Sequence, residues 1–254
     1  MSKIWYGLED KVVLVTGGSR GIGFTLAREL LDQKAKVVIC ARKKEGLDHA
    51  VAELGVEEDL MAVMAHIAKE DQVDNLFDMA MNRFGRVDVL VNNVGMNLMT
   101  QSVVEADYET WKKIVDSNLN GTYLCASRAA QIMKELGGGK IVNLSSIAGQ
   151  RATPAMGIYG IAKSGVEMLT RVLAMELAPY NIQVNAVAPA MVKTDFSKPF
   201  WSDPNTYQEI VKNIPMQRIA EPYEVASTVL FLASEAASFI TGQTVVIDGG
   251  STAV

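Results

Sequence analysis

Cysteine and histidine are scarce in this chain, with two of each among 254 residues. Cys40 and Cys125 each sit in an apolar setting with no metal-like neighbours. That excludes a disulfide framework and a cysteine–histidine metal cluster. It is the pattern of two buried thiols in a reducing compartment. No long basic run occurs, and the net charge is −5, so nucleic acid and anionic membranes are not expected partners. No stretch reaches the roughly 18 apolar residues of a membrane span. The segment Met1 to Asp10 lacks the basic and apolar regions of a signal peptide. Ser251-Thr252-Ala253-Val254 is not a peroxisomal address. A cytoplasmic protein is the expectation.

What is present is 49% hydrophobic residues, 21% charge and 20 glycines, an ordinary globular composition. Short β-branched runs alternate with amphipathic stretches. Lys11 to Thr16, Lys36 to Ala41, Val87 to Asn92, Lys140 to Leu144, Gln183 to Ala188 and Thr244 to Ile247 read as buried strands. Leu60 to Ala65 is a weaker case, because methionines are poor evidence for a strand. Near-continuous hydrophobicity implies burial on both faces, as in a parallel sheet. Between the runs lie helical stripes. Val73, Leu76, Phe77, Ala80, Met81 and Phe84 form one, and Ala162, Val166, Leu169 and Leu173 another. The repeated β-α order predicts an α/β fold, a doubly wound sheet. No repeat, low-complexity tract or linker divides the chain, so residues 1–254 read as a single domain.

One segment breaks the rhythm. Lys193 to Gln217 holds Pro199, Pro204 and Pro215 beside Phe196, Phe200 and Trp201. It is too long and apolar for a plain connection. A lid over a ligand is one reading, favoured by its position after a strand's C-terminal end. A surface excursion packing its own aromatics is the other.

Thr16-Gly17-Gly18-Ser19-Arg20-Gly21-Ile22-Gly23 follows the first strand and opens a helix. Glycines let a backbone approach a pyrophosphate, and a helix N-terminus offers free N–H groups and a positive dipole end. The loop therefore predicts dinucleotide binding. Further on, Tyr159 and Lys163 stand one turn apart on one helix face. A free phenol has a pKa near ~10, and a cation beside it favours the phenolate. Bringing it to about 7 takes roughly 4 kcal/mol. Ser146 closes the Lys140 to Leu144 strand, on the sheet edge where strand ends and helix starts meet. Ser145, being adjacent, is its rival.

These motifs, with Asn92-Asn93-Val94-Gly95, Asn118 and Asn185-Ala186-Val187-Ala188-Pro189, make the chain resemble the classical short-chain dehydrogenases/reductases along essentially its whole length. The resemblance implies a Rossmann-like sheet of about seven parallel strands with helices on both faces. It implies a cofactor half near 1–135 and a catalytic half near 136–254, with the lid near 193–217. Ser146-Ile147-Ala148-Gly149 matches the family's Ser-x-x-Gly, favouring Ser146 over Ser145. By the same resemblance Ser146 stabilises the substrate oxyanion and Tyr159 transfers the proton. Lys163 lowers the Tyr159 pKa and binds the nicotinamide ribose. Asn118, ahead of Asn120, holds a relay water. Asn93 is expected to hold the adjoining ribose and the central strand, and Val192 and Thr194 the carboxamide. The candidate cofactor contacts are Gly17, Ser19, Arg20, Gly21, Ile22, Gly23, Arg42, Ile67, Asn93, Gly95, Val192 and Thr194, with Tyr159 and Lys163. Val94 and Ala190 depart from the family's usual alanine and glycine, adding bulk near the cofactor.

The second strand ends in Ala41 rather than an acid, followed by Arg42, Lys43 and Lys44, and Arg20 lies in the loop. Guanidinium groups bind phosphate bidentately, so NADP(H) is favoured over NAD(H). A solvated helix start is the other reading of these cations. His66 replaces the family's usual aspartate against the adenine and reads as a strand-end histidine; His49 reads as solvent-facing. Met96, Leu98, Met99, Arg151, Thr153, Met156, Phe196, Phe200, Trp201 and Met216 are candidates for the substrate wall. Such a wall suits a hydrophobic ketone or secondary alcohol, though methionine is also common core filler. Arg151 is a candidate partner for a carboxylate or CoA phosphate, or simply an exposed arginine. Lys193 to Lys198 resembles the family's NADPH carbonyl reductases. An NAD-dependent hydroxyacyl-CoA dehydrogenase and a non-catalytic cofactor-binding subunit are the alternatives. No metal is expected. The long helices near Trp111 to Leu136 and Gly157 to Pro179, and the last strand, predict a homotetramer by resemblance.

Overall fold

The computed structural model describes residues 4–55 and 58–253. Met1 to Lys3 and Val254, used above for targeting signals, lie outside the described residues. Seven parallel strands form one sheet: β1 (Val12–Thr16), β2 (Lys36–Ala41), β3 (Leu60–Met64), β4 (Val89–Asn92), β5 (Gly139–Leu144), β6 (Ile182–Pro189) and β7 (Thr244–Ile247). Their spatial order is β3-β2-β1-β4-β5-β6-β7.

Strand side chains alternate between two cores, as a period of two requires. Val13 and Val15 face one side, with Leu26 and Leu30 of α1 (Gly21–Asp32), Leu47 of α2 (Lys44–Leu54) and Val225 and Val229 of α9 (Pro222–Ala233). Val12 and Leu14 face the other, with Leu76 and Phe77 of α3 (Glu70–Phe84), Met133 of α5 (Gly121–Glu135) and Leu177 of α6 (Gly157–Leu177). The stripe anticipated around Phe77 is thus the buried face of α3. Cys40 and Cys125 are free and buried in the second core. Burial raises both thiols, Cys40 to about 12.

The sheet order reverses between β1, which pairs β2 on one side, and β4 on the other. Chain leaving these two strands must diverge, and a crevice opens at their C-terminal ends. The long helix expected from Trp111 is interrupted. α4 (Tyr108–Val115) passes through a π-helical turn at Asp116–Asn120 into α5. Lys193 to Gln217 folds as two short helices, α7 (Lys198–Trp201) and α8 (Pro204–Val211). No helix among the described residues is long and apolar enough to cross a membrane.

Candidate active site

A cleft of about 970 Å³ runs along the C-terminal ends of the strands. At one end lies the glycine loop. Gly17 has φ of +70°, which its missing Cβ permits. A Cβ on Gly23 would stand 2.3 Å from the Gly17 carbonyl oxygen and 2.5 Å from Asn93 Nδ2, so Gly23 serves the packing of α1 against the loop and does not line the cleft. Asn93 locks the loop to β4. Its Nδ2 donates to the Thr16 carbonyl at 2.9 Å and the Gly17 carbonyl at 3.1 Å. Its N–H donates to Thr16 Oγ1 at 3.0 Å. Arg20 caps α1 by position alone, with no side-chain hydrogen bond to the first turn. The N–H groups of that turn are therefore available to an anion.

Gly17, Ser19, Arg20, Gly21, Ile22, Arg42, Ile67, Asn93, Gly95, Val192 and Thr194 all line the cleft. Thr194 approaches Gly21, whose added Cβ would lie 3.3 Å from Thr194 Cγ2. Arg42 and Lys43 stand at the same end as Arg20, while Lys44 turns away to pair with Asp48 at 2.7 Å. Among the described residues Arg20, Arg42 and Lys43 form no ion pair. The carboxylates of Glu45 and Asp195 line the same cleft. His66 also lines the cleft. Its Nδ1 accepts from the Ala68 N–H at 3.2 Å, so the neutral ring carries its proton on Nε2. Burial, and then the charges of Arg42 and Lys69, lower its pKa. His49, read as solvent-facing, is exposed yet reaches the cleft mouth.

At the other end Ser146, Tyr159 and Lys163 come together. β5 ends one residue before Ser145, and Ser146 caps the 3-10 turn Ile147–Gly149, accepting from the Ala148 N–H at 3.2 Å. Its Oγ also donates weakly to the Pro189 carbonyl at 3.4 Å. Ser145 is turned inward and bonded to Glu167 at 2.9 Å. Tyr159 and Lys163 are buried on α6, at 8% and 2% exposure.

The electrostatics correct one expectation. Burial pushes the Tyr159 phenol up to about 12, and the Ser146 hydroxyl only partly offsets this. Burial brings Lys163 down to about 8. The Lys163 ammonium donates to the Leu144 carbonyl at 2.6 Å and stands 5.6 Å from the centre of the Tyr159 ring. Desolvation disfavours both charges more than the pair favours them, so the phenol holds its proton instead of approaching a pKa of 7.

Asn118 is fully buried and lies in the π-helical turn, outside the cleft wall. Its Nδ2 donates to the Met96 carbonyl at 2.7 Å and the Ile114 carbonyl at 2.8 Å, and its Oδ1 accepts from the Met96 N–H at 3.3 Å. It pins Gly95 and Met96 beside Lys163: a Cβ on Gly95 would lie 3.6 Å from Asn118 Oδ1 and 3.8 Å from Lys163 Nζ. Asn120 bonds to Asp116 instead, at 2.7 Å.

Of the residues expected in a substrate wall, Met96, Arg151, Thr153, Met156, Phe196 and Phe200 line the cleft. Trp201 does not. Its Nε1 donates to the Thr194 carbonyl at 3.2 Å and Ser197 Oγ at 3.0 Å, and its ring packs against Val211, Ile214 and Ile219. Indole buries its ring where its single donor finds an acceptor, and here Trp201 braces Thr194 and Ser197, which line the cleft, without lining it itself. Leu98, Met99 and Met216 are exposed outside it as well. Asn213, Ile214 and Ser251 complete the wall, unforeseen from the sequence. Ser251 arrives from the C-terminal turn, where its carbonyl accepts from Arg151 Nη1 at 2.9 Å across 100 residues. Among the described residues no cluster fit to hold a metal ion occurs.

A family model described as enoyl-(acyl carrier protein) reductase matches residues 17–252. Dehydrogenase/reductase SDR family member 4 of Bos taurus is 39% identical over 245 residues, covering 96% of this chain and 88% of the relative. The 3-oxoacyl-[acyl-carrier-protein] reductase of Synechocystis sp. is 39% identical over 246 residues, covering 96% of this chain and 97% of the relative. The crystal structure of a short-chain type dehydrogenase/reductase from Mycobacterium marinum matches with a TM-score of 0.92 at 31% identity, covering 98% of each chain.

Proposed function

The chain belongs to the classical short-chain dehydrogenase/reductase family of NAD(P)-dependent oxidoreductases, and we propose that it reduces a hydrophobic ketone with NADPH, or oxidises the matching secondary alcohol. The observation that carries this is the convergence of Ser146, Tyr159 and Lys163 at one end of a cleft whose other end is the uncapped glycine loop.

The cleft fits a dinucleotide. Its volume is ample, its loop offers open N–H groups, and Gly17 and Gly21 line it without side chains. A nicotinamide dinucleotide bound there supplies or accepts hydride. Arg20, Arg42 and Lys43 favour the phosphorylated ribose, since guanidinium forks match phosphate geometry. Thr194 and Val192 would hold the carboxamide end.

Ser146 Oγ has only a weak donor bond to give up, so it is available to the substrate oxygen as negative charge develops. Tyr159 keeps its proton at neutral pH and donates it to the same oxygen, which as an alkoxide is far the stronger base. In the oxidative direction the phenol must first give up its proton before it can accept the alcohol's, and the positive charge of Lys163 behind it favours that phenolate. Lys163 supplies positive charge behind the phenol, held in place by Leu144. Asn118 keeps Gly95 and Met96 in register with it. Met96, Met156, Phe196 and Phe200 form the apolar wall that selects a hydrophobic substrate.

The name of the Synechocystis relative favours a second reading, a 3-oxoacyl or hydroxyacyl thioester as substrate. Tyr123, Met168 and Met175, exposed on α5 and α6, suit the paired helices of the proposed tetramer. Turnover assays of the purified protein with NADPH and NADH, against hydrophobic ketones and 3-oxoacyl thioesters, test the function. Absence of turnover of every carbonyl with either cofactor would overturn it.

A further inference from the structure

Glu167 stands one helical turn beyond Lys163 on α6. Its carboxylate is only 7% exposed, and among the described residues no cation pairs with it. Its partners are neutral donors from either side of the Ser146 turn. Ser145 Oγ donates to Oε1 at 2.9 Å, sharing its proton with the Lys163 carbonyl at 3.2 Å. Gln150 Nε2 donates to Oε1 at 3.2 Å and Oε2 at 3.4 Å. Ser145 directly precedes Ser146, and Gln150 ends the 3-10 turn that Ser146 caps. Ser145 is also fixed to the sheet, its N–H donating to the Val187 carbonyl at 2.8 Å.

The same turn meets α6 backbone to backbone. A Cβ on Gly149 would lie 2.8 Å from the Lys163 carbonyl carbon, and one on Gly160 2.5 Å from the Ala148 carbonyl oxygen. Such a contact brings two chain segments close, and the small Ala148 side chain packs there in one cluster with Ile158 and Tyr159. Two further ties hold α6 to β5: Lys163 Nζ donates to the Leu144 carbonyl at 2.6 Å and, deeper, Asn143 Nδ2 donates to Thr170 Oγ1 at 2.9 Å. Both act on β5 itself and neither reaches past Ser146 to the far side of its turn. A carboxylate buried among neutral partners carries a desolvation cost, and Glu167 directs that charge onto the two residues that bracket the turn.

We propose that Glu167 is a positioning residue that clamps Ser145 and Gln150 to α6 and so sets the Ser146 hydroxyl against Tyr159 and Lys163. The inference rests on the reading of those three residues as the reaction centre. Glu167 touches neither substrate nor cofactor; it acts through the turn.

Glu167→Ala, Glu167→Gln, Ser145→Ala and the double alanine variant, compared with Tyr159→Phe in the full chain, provide the test. Turnover of a ketone is measured with NADPH, and NADPH affinity by its fluorescence. Misplacing a reacting group by about 1 Å costs on the order of 100-fold, so Glu167→Ala and Ser145→Ala should each lower kcat about tenfold or more. NADPH affinity should stay within about twofold. Glu167→Gln, which keeps an acceptor for Ser145, should recover most of kcat. The double variant should fall no further than the worse single one, because both remove one unit. Normal kcat in the alanine variants, a glutamine variant no better than alanine, or losses that multiply would overturn the clamp. If Glu167→Ala does not fold, Ser145→Ala decides by the same measures. Should Tyr159→Phe turn over normally, the reaction centre itself is misread. Should Tyr159→Phe be inactive while both alanine variants are normal, only the clamp fails.

Discussion

Lys163 donates its ammonium to the Leu144 carbonyl at 2.6 Å, across from the phenol of Tyr159 and not onto it. The bond ties α6 to the end of β5, and the charge it carries is buried. Burial lowers the Lys163 pKa from 10.5 to about 8. Below about 8 the lysine is protonated folded and unfolded, and the folded state bears the whole penalty, about 3 kcal/mol. Between about 8 and 10.5 the unfolded chain binds more protons, so this contribution to stability improves as pH rises. The urea midpoint of the wild type should therefore gain on that of Lys163→Met between pH 8 and about 10. A constant difference across that range would show that Lys163 is not buried as a cation.

Arg42 stands at the glycine-loop end without an ion-pair partner among the described residues. Arg42→Ala should weaken NADPH by about 1.5–3 kcal/mol, the usual worth of hydrogen bonds to a charged group, and leave NADH nearly unchanged. Titration of both cofactors into both proteins checks it. Equal losses would remove the argument for the phosphorylated cofactor.

Phe200 and Trp201 are neighbours in sequence with opposite destinations. Phe200 lines the cleft, while Trp201 does not and bonds instead to Thr194 and Ser197. Phe200→Ala should raise KM for a hydrophobic ketone severalfold. Trp201→Phe should leave that KM near its wild-type value and lower stability by about 1 kcal/mol. Steady-state kinetics with thermal melts separates the two.

A methyl group on Gly23 would meet the Gly17 carbonyl oxygen at 2.3 Å and Asn93 Nδ2 at 2.5 Å. Backbone and a bonded amide cannot give way cheaply. Gly23→Ala should therefore lower stability by roughly 1–3 kcal/mol and weaken NADPH and NADH alike. Unchanged affinity for both would show that the loop does not form the phosphate site.

The strands were legible because β-branched runs fix buried parallel strands. β2 and β7 lie where the runs place them, and the methionine-bearing run is the real edge strand β3. Placement of Ser146, Tyr159 and Lys163 followed from which strand end and helix start carry them. Other features left no local signal. The π-helical turn at Asp116–Asn120 adds one residue per turn, which apolar spacing does not register. The Arg151 bond to Ser251 and the Glu167 contacts join segments distant in sequence. The phenol's rise to about 12 reflects burial that spacing along a helix cannot measure. Trp201 lies outside the cleft that Phe200 lines, and nothing local signals this, because neighbouring aromatics in a Pro-rich segment read alike whether they face a cavity or pack behind it.

Tyr159 carries the central claim, as the group that moves the proton while the cofactor supplies or takes hydride. The most direct measurement is single-turnover reduction of a ketone by NADPH, comparing wild type with Tyr159→Phe, with NADPH affinity measured in parallel. The account predicts a loss of about 10²–10⁴-fold in rate, the usual contribution of a positioned acid, with cofactor affinity held. Near-normal turnover by the phenylalanine variant would contradict it.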